Sequence, residues 1–445
     1  MAKASEHMRA AILAATVGAS IVVAAGACSG AGDASSARAA IAEASTATRA
    51  TPPAWLTAER RAEEDSLYRI AARAAWRFAD RNYVAATGLI KPFDTYEIGT
   101  MWDVASGLAA LFCASELGLL ERSDYERRMG QALATLERVP LFEGVGFNKE
   151  YAMDAARPIG VERTPSTRGY GASATDHGRL LLWLRIVANR HARFAPAVQR
   201  IVKRLDLGAF VDDGYLVGRQ MSRRTGTVRK FQEGRLGYEQ YAATGFHVWG
   251  TEAKEALDIT ANARMREVSG IRVPSDRRGS DRLTSEPFVL LGMEAGWSPE
   301  QRAVAQRLLA AQVARYKSTD TLTLVSEDAI DRAPDYFFYY TVLSKHGPWS
   351  IDVQRPGVKL NGPRWISTKA AFAWHALLPG DYTRMVVDTV RARALVNGVW
   401  GSGVYDNGRP TATPNINTAA VVLESALYRQ YGGPLLGART PGARS

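Results

Sequence analysis

Two cysteines in 445 residues leave no material for a disulfide framework or a cysteine-rich zinc site. Outside the extreme N-terminus there is no run of about 18 or more apolar residues, so no internal segment is built to span a membrane. Acids are in the minority. Against 56 Lys and Arg stand 45 Asp and Glu, a formal charge of +11. Such a surface favours acidic polymers, anionic glycans or a membrane face and says nothing about fold. Also missing are a G-x-x-x-x-G-K-[ST] loop, a dinucleotide fingerprint after a strand, a G-x-S-x-G elbow and an H-E-x-x-H pair. No cofactor or metal is therefore called for. The six histidines are scattered, and His247 and His375 sit among apolar helical residues, where packed histidines are found. What is present, 46% hydrophobic and 23% charged residues, is ordinary globular composition.

The N-terminus reads as an export signal. Lys3 and Arg9 lead into an apolar, Ala-rich stretch from Ala10 to Ala27, which ends in the small-residue site Ala25-Gly26-Ala27. Cys28 follows directly, and Ala25-Gly26-Ala27-Cys28 resembles a bacterial lipobox, which implies lipidation of Cys28. The expected organisation is a signal peptide over 1–27 and a lipidated cysteine with a flexible Ala/Ser/Thr linker over 28–54. A single domain over 55–432 and a disordered tail over 433–445 complete it. The expected location is the periplasm or outer membrane, with attachment to the membrane through Cys28; plain secretion is the alternative. No nucleic-acid partner is expected of an exported protein. The run Arg219, Arg223, Arg224, Arg229, Lys230 and Arg235 is accordingly read as a solvated hairpin. Cys113 reads as a buried thiol.

From Trp55 onward apolar residues recur at helical spacing. Leu67, Ile70, Ala71, Ala74 and Phe78 mark one face of a first helix. Further helices are expected near 101–119, 123–138, 173–190, 194–206, 238–257, 284–295, 299–317, 366–378, 381–396 and 416–430, with a twelfth near 335–345. Ser123 with Glu126 reads as a capping box, and Ser298-Pro299-Glu300 as a helix start. Asp212-Asp213-Gly214 between apolar pairs reads as a hairpin turn. The fold class is all-α with few strands. A ring of six helix hairpins, an (α/α)6 toroid, fits the count, and an irregular bundle fits it equally. The segments 140–172, 207–237, 259–283, 318–334 and 346–364 are long and rich in Gly, aromatic and charged residues, as functional loops are.

The remaining chemistry lies in carboxylates beside aromatics at the ends of apolar helices. They are Trp102-Asp103, Asp176, Tyr238-Glu239-Gln240-Tyr241, Glu286, Glu327-Asp328 and Asp406. Acids at helix N-termini are commonly caps, and Asp176 and Glu286 fit that role. Gathered at one end of a helical ring, they would instead line a sugar site. Aromatics stack on sugar faces, while carboxylates and Arg bind hydroxyls. Glycoside hydrolysis needs two carboxyl groups across the scissile bond, one of them protonated.

Several phrases are similar to the bacterial domain of unknown function 3131. They are Thr100-Met101-Trp102-Asp103-Val104-Ala105-Ser106, Ser166-Thr167-Arg168-Gly169-Tyr170 continuing to Thr175-Asp176-His177-Gly178-Arg179, Gly237-Tyr238-Glu239-Gln240-Tyr241, Ser326-Glu327-Asp328, and Asn417-Thr418 with Leu423-Glu424. The resemblance covers about residues 60–430. That family resembles the glucoamylase-like clan of β-1,2-glucan-active glycoside hydrolases. The resemblance implies the toroid, with long loops and short strands lining a glycan cleft. It implies Glu239 as general acid and Glu327 as nucleophile or base, with Asp328 and Asp406 in reserve. The implied substrate contacts are Trp102, Asp103, Tyr170, Asp176, Arg179, Tyr238, Tyr241, Glu286, Asp328 and Asp406. The implied function is an exported glycoside hydrolase or transglycosylase on a β-glucan or exopolysaccharide, with β-1,2-glucan favoured. A non-catalytic glycan-binding protein and a lyase on an acidic glycan remain open.

Overall fold

A computed structural model describes residues 38–39, 41, 58–279, 281–332, 337–353 and 359–437. The expected signal peptide and Cys28 lie outside the described residues. Among the described residues no helix is long and apolar enough to cross a membrane.

The molecule is mostly helical, with short strands between the helices. The helices are α1 (Ala58–Arg81), α2 (Met101–Glu116), α3 (Arg122–Arg138), α4 (Ala174–Arg190), α5 (Ala195–Lys203) and α6 (Tyr238–His247). They continue as α7 (Lys254–Leu257), α8 (Glu286–Glu294), α9 (Pro299–Thr319), α10 (Thr368–Leu377), α11 (Asp381–Arg393) and α12 (Ile416–Tyr431). The even-numbered helices pack in a cycle: α2 on α4, α4 on α6, α6 on α8, α8 on α10, α10 on α12, and α12 back on α2. Each odd-numbered helix packs outside, α1 on α12 and the others on the helix before them in the chain.

Sequence decides which helices go inside. All nine residues of α8 and all ten of α10 are buried, as expected of helices that are apolar all round. On α11 only Thr383, Val386, Val387 and Val390 are buried, a single stripe at helical spacing. Inner helices also carry small residues where backbones meet. A Cβ on Gly245 of α6 would stand 1.9 Å from the carbonyl oxygen of Gly178 on α4, so only glycine permits this approach.

Several local signals appear as written in the chain. Ser298 caps α9 through the Gln301 amide with Pro299 in the first turn. Asp213 and Gly214, at φ 48° and 77°, turn a tight hairpin between Val211–Asp212 and the strand from Tyr215. Others differ. Helix α3 starts before Ser123, and no side chain caps it; Glu126 instead pairs with Arg122 at 2.8 Å. Ile70 is exposed, turned away from the face of α1 that Leu67 and Ala71 bury. The segment expected as one helix over 238–257 is two, α6 and α7, because Gly250 at φ 84° ends the run. The region near 335–345 forms a strand, Phe337–Tyr340, where consecutive aromatics suit a pleated surface. Gly433–Gly437 do not begin a loose tail. Leu435 is fully buried, and its amide bonds the Met293 carbonyl at 2.9 Å. Within the expected linker, Ile41 is buried and Arg38 pairs with Asp258 at 2.7 Å.

Four small antiparallel pairings matter for the site. They join β1 (Ile98–Thr100) to β2 (Glu150–Ala152), and β3 (Gly171–Ala172) to β4 (Tyr215–Met221). They also join β4 to β5 (Val228–Gln232), and β6 (Glu327–Ala329) to β7 (Phe337–Tyr340).

Candidate active site

The first turns of all six inner helices open into one cleft of about 1410 Å3. Trp102 and Asp103 come from α2, Asp176 from α4, Tyr238 from α6, Glu286 from α8, Lys369 from α10 and Asn417 from α12. Six helix N-termini at one end give the cleft floor a positive bias that favours carboxylates.

The floor holds a compact acid cluster. The Tyr238 hydroxyl lies 2.6 Å from Glu327 Oε2 and 3.2 Å from Glu286 Oε2. A phenol has one proton, so it can donate to only one of these oxygens. The other contact requires that a carboxyl supply a proton. Burial, with Glu286 close by, raises the Glu327 pKa to about 7. Glu286 is engaged by Lys369 Nζ at 2.8 Å. Desolvation works against the Lys369 charge, but Glu286, Asp328 and Glu327 outweigh it and raise the lysine pKa. The cluster thus provides a protonated carboxyl near neutrality beside an ion-paired carboxylate, the two states that an acid and its partner need. Since one hydroxyl reaches both, the nearest oxygens of Glu286 and Glu327 are within about 6 Å, which accommodates the spacing of retaining carboxyl pairs.

The facing wall is built on α2, α4 and the strands. Asp103 closes a capping box with Thr100 and accepts from Asn417 Nδ2 at 3.0 Å. Its role as a cap and its place in the cleft coincide. Burial raises its pKa and raises that of Asp176 further, with Glu233 pushing Asp176 the same way. Glu150 holds the Tyr170 hydroxyl at 2.7 Å and is paired with Arg163, which also donates to Tyr96. Trp102 stands between the walls, edge-on to Tyr241 at 5.6 Å and tilted against Tyr238 at 6.1 Å.

The structure therefore brings together Trp102, Asp103, Tyr170, Asp176, Tyr238, Glu286 and Glu327. Five other expected site residues lie outside the cleft lining. Glu239 is fully buried behind Tyr238. Its pKa is raised by burial, against the pull of Arg278. Both of its oxygens are already engaged, by Arg278 at 2.6 Å and by Gln232 at 2.9 Å. Arg179 and Tyr241 point into the ring interior, where Arg179 meets Glu294 at 3.2 Å and Glu424 at 3.0 Å. Asp328 faces the opposite side of its strand from Glu327 and accepts from Trp365 Nε1 at 2.8 Å. Asp406 is exposed, away from the cleft.

Sequence reading missed Lys369, Glu150, Arg163 and Glu233. Lys369 had a signal. A lysine in the first turn of an otherwise apolar helix opposes the helix dipole, so it must answer to a carboxylate. Glu233 bonds Ser173 Oγ at 2.9 Å and so supports the start of α4, but it comes from an irregular loop with no periodicity to betray it.

The sequence profile of the family described as "Protein of unknown function (DUF3131)" matches residues 70–432. No curated protein sequence matches the chain. Among solved structures, a Bacteroides fragilis protein provisionally assigned as a glucoamylase is 14% identical, with a TM-score of 0.61 over 87% of this chain and 94% of that one. An endo-β-1,2-glucanase from Chitinophaga pinensis, solved with sophorotriose and glucose, is 11% identical, with a TM-score of 0.57 over 84% and 93%. One from Talaromyces funiculosus, solved with sophorose, is 12% identical, with a TM-score of 0.59 over 86% and 87%. At these identities what is shared is the fold.

Proposed function

The chain belongs to the DUF3131 family, and from that premise we propose that it is an exported glycoside hydrolase acting on a β-glucan, with β-1,2-glucan as the favoured substrate. The cyclic packing of the inner helices, and the likeness to solved glucanases, support reading the fold as an (α/α)6 toroid. The observation that carries the function is the Tyr238-bridged pair of Glu327 and Glu286 on the floor of a long cleft. Glu327 would donate its proton to the glycosidic oxygen as the C–O bond breaks. Glu286, ion-paired with Lys369, would attack the anomeric carbon to give a glycosyl-enzyme, which water then hydrolyses. This moves the acid from Glu239 to Glu327, because the Glu239 oxygens are held by Arg278 and Gln232. Trp102 and Tyr170 would supply stacking surfaces for sugar rings. Export and lipidation at Cys28 rest on the N-terminal pattern.

The test is a glycan panel that includes linear β-1,2-glucan, incubated with the purified chain and followed by chromatography and proton NMR. New reducing ends that first appear with the β configuration are expected. Initial α product would replace attack by Glu286 with attack by water. No product from any glycan in the panel would favour a binding protein instead.

A further inference from the structure

The acids and bases of the cleft are distributed unequally between floor and rim. Every exposed ionisable residue that lines it is a cation: Arg223, Arg224, Arg229, Lys230 and Lys345. The acids are buried or half-buried. Four of the five exposed cations come from one hairpin, β4 with β5. Residues 215–232 contain five basic side chains and no acid. Register makes the hairpin electrostatically unfavourable on its own, because Arg219 stands directly opposite Lys230, and like charges so placed destabilise a strand pair. Of the four hairpin cations in the cleft, Arg223 bonds only the Val161 carbonyl oxygen. Arg224, Arg229 and Lys230 have no acidic partner among the described residues. Behind them Lys149 is held into the cleft, its Nζ 3.1 Å from Gln220 Oε1 and 5.0 Å over the Phe231 ring. Phe231 thus lies on the cleft side of the hairpin with the Lys149 ammonium over its ring.

A solvated hairpin would need neither the opposed cations nor their position along a cleft. We propose that this hairpin is an anion-binding rim, and that the natural substrate is a glycan carrying negatively charged groups, carboxylate or phosphate, outside the sugar ring that is cleaved. The proposal rests on the cleft being a glycan site and deepens that reading. A ring on this strand face of Phe231 would place its substituents near Lys149 and Arg229, with Lys230 on the other face of the strand. The reacting ring would remain over the Glu286–Glu327 floor.

The full chain is compared with its R223Q/R224Q/R229Q/K230Q variant by affinity electrophoresis, which needs no turnover. The probes are linear β-1,2-glucan, the same glucan bearing succinyl half-esters, and the same glucan bearing phosphate. Exposed cation–anion contacts each add a factor of about two to five, so a charged form should bind the wild type about tenfold tighter or more at low salt. That advantage should disappear in the variant and shrink in about 0.5 M NaCl, where screening is short-ranged. Equal gains for both charged forms mean that charge alone is read; a gain for one names the ligand group. Equal or absent binding of charged and neutral forms, or an advantage that survives in the variant, overturns the proposal. The two readings fail separately. Charge-dependent binding without hydrolysis of any form would remove the hydrolase and leave the rim. Hydrolysis of neutral glucan without charge preference would do the reverse.

Discussion

Helix α6 carries two tyrosines one turn apart, and each anchors a cluster of two glutamates and one cation. Tyr238 joins Glu286, Glu327 and Lys369. Tyr241 joins Glu294, Glu424 and Arg179, donating to Glu294 at 2.6 Å. The residue types are nearly the same, but the surroundings differ. The Tyr238 cluster lies on the floor of a cleft. In the Tyr241 cluster Arg179, Glu294 and Glu424 are at most 1% exposed, sealed inside the helical cycle. There Trp183 donates to Glu294 at 2.9 Å, and Arg179 sits 5.0 Å from the centre of the Trp102 ring that floors the cleft. Burial, with Glu294 close by, raises the Glu424 pKa well above its ordinary value. Burial therefore disfavours a second negative charge on Glu424 beside the Arg179–Glu294 pair. The same groups thus do two jobs. In the interior they pin α4, α6, α8 and α12 together; at the cleft the shared proton is within reach of a ligand.

That contrast can be broken most severely at Arg179. Arg179→Met strands two buried glutamates and should cost about 3–5 kcal/mol of stability, read by chemical denaturation. An unchanged midpoint would mean that the inner network holds little. At the cleft, Lys369→Met removes the ion-pair partner of Glu286 and the charge that holds the Glu327 pKa down. Turnover should fall by about 10–100-fold, and the alkaline limb of the pH–rate profile, expected near pH 7 for a proton held by Glu327, should move to higher pH. A limb that stays in place would detach Lys369 from the pair. The smallest effect belongs to Glu424→Gln, since a neutral amide replaces a carboxyl whose charged form burial disfavours. The native state keeps a proton that the unfolded chain releases above its ordinary pKa of 4.5. Stability therefore falls with rising pH until the folded pKa is reached. The variant should lose part of that fall, seen in denaturation midpoints between about pH 5 and 8.

The same pair of clusters shows what could be read from the chain. Helical spacing and caps located most inner helices, and acids after an aromatic or a small polar residue marked their first turns. Trp102-Asp103, Tyr238 and Glu286 follow from that pattern. Glu286 and Glu294 stand at opposite ends of α8, and only the first turn meets the cleft. Spacing could not separate Tyr238 from Tyr241, because both fall near the start of α6 and seven of its ten residues are buried, so no amphipathic stripe records which side meets the cleft. Glu239 shows the same limit, since it adjoins Tyr238 in sequence yet turns behind the wall to Arg278. Glu150, Arg163 and Glu233 come from loops and short strands, where local sequence carries no period. The basic hairpin was visible as a run of charge, but its position along the cleft depends on β4 pairing with β3, a contact between segments about 50 residues apart.

The most direct measurement compares initial rates of β-1,2-glucan hydrolysis for Glu327→Gln and Glu424→Gln beside the wild type at neutral pH. The expected result is a loss of about 100-fold or more for Glu327→Gln and a rate within about twofold of wild type for Glu424→Gln, with both proteins folded. Full activity in Glu327→Gln would contradict the assignment of the transferable proton to the cleft pair.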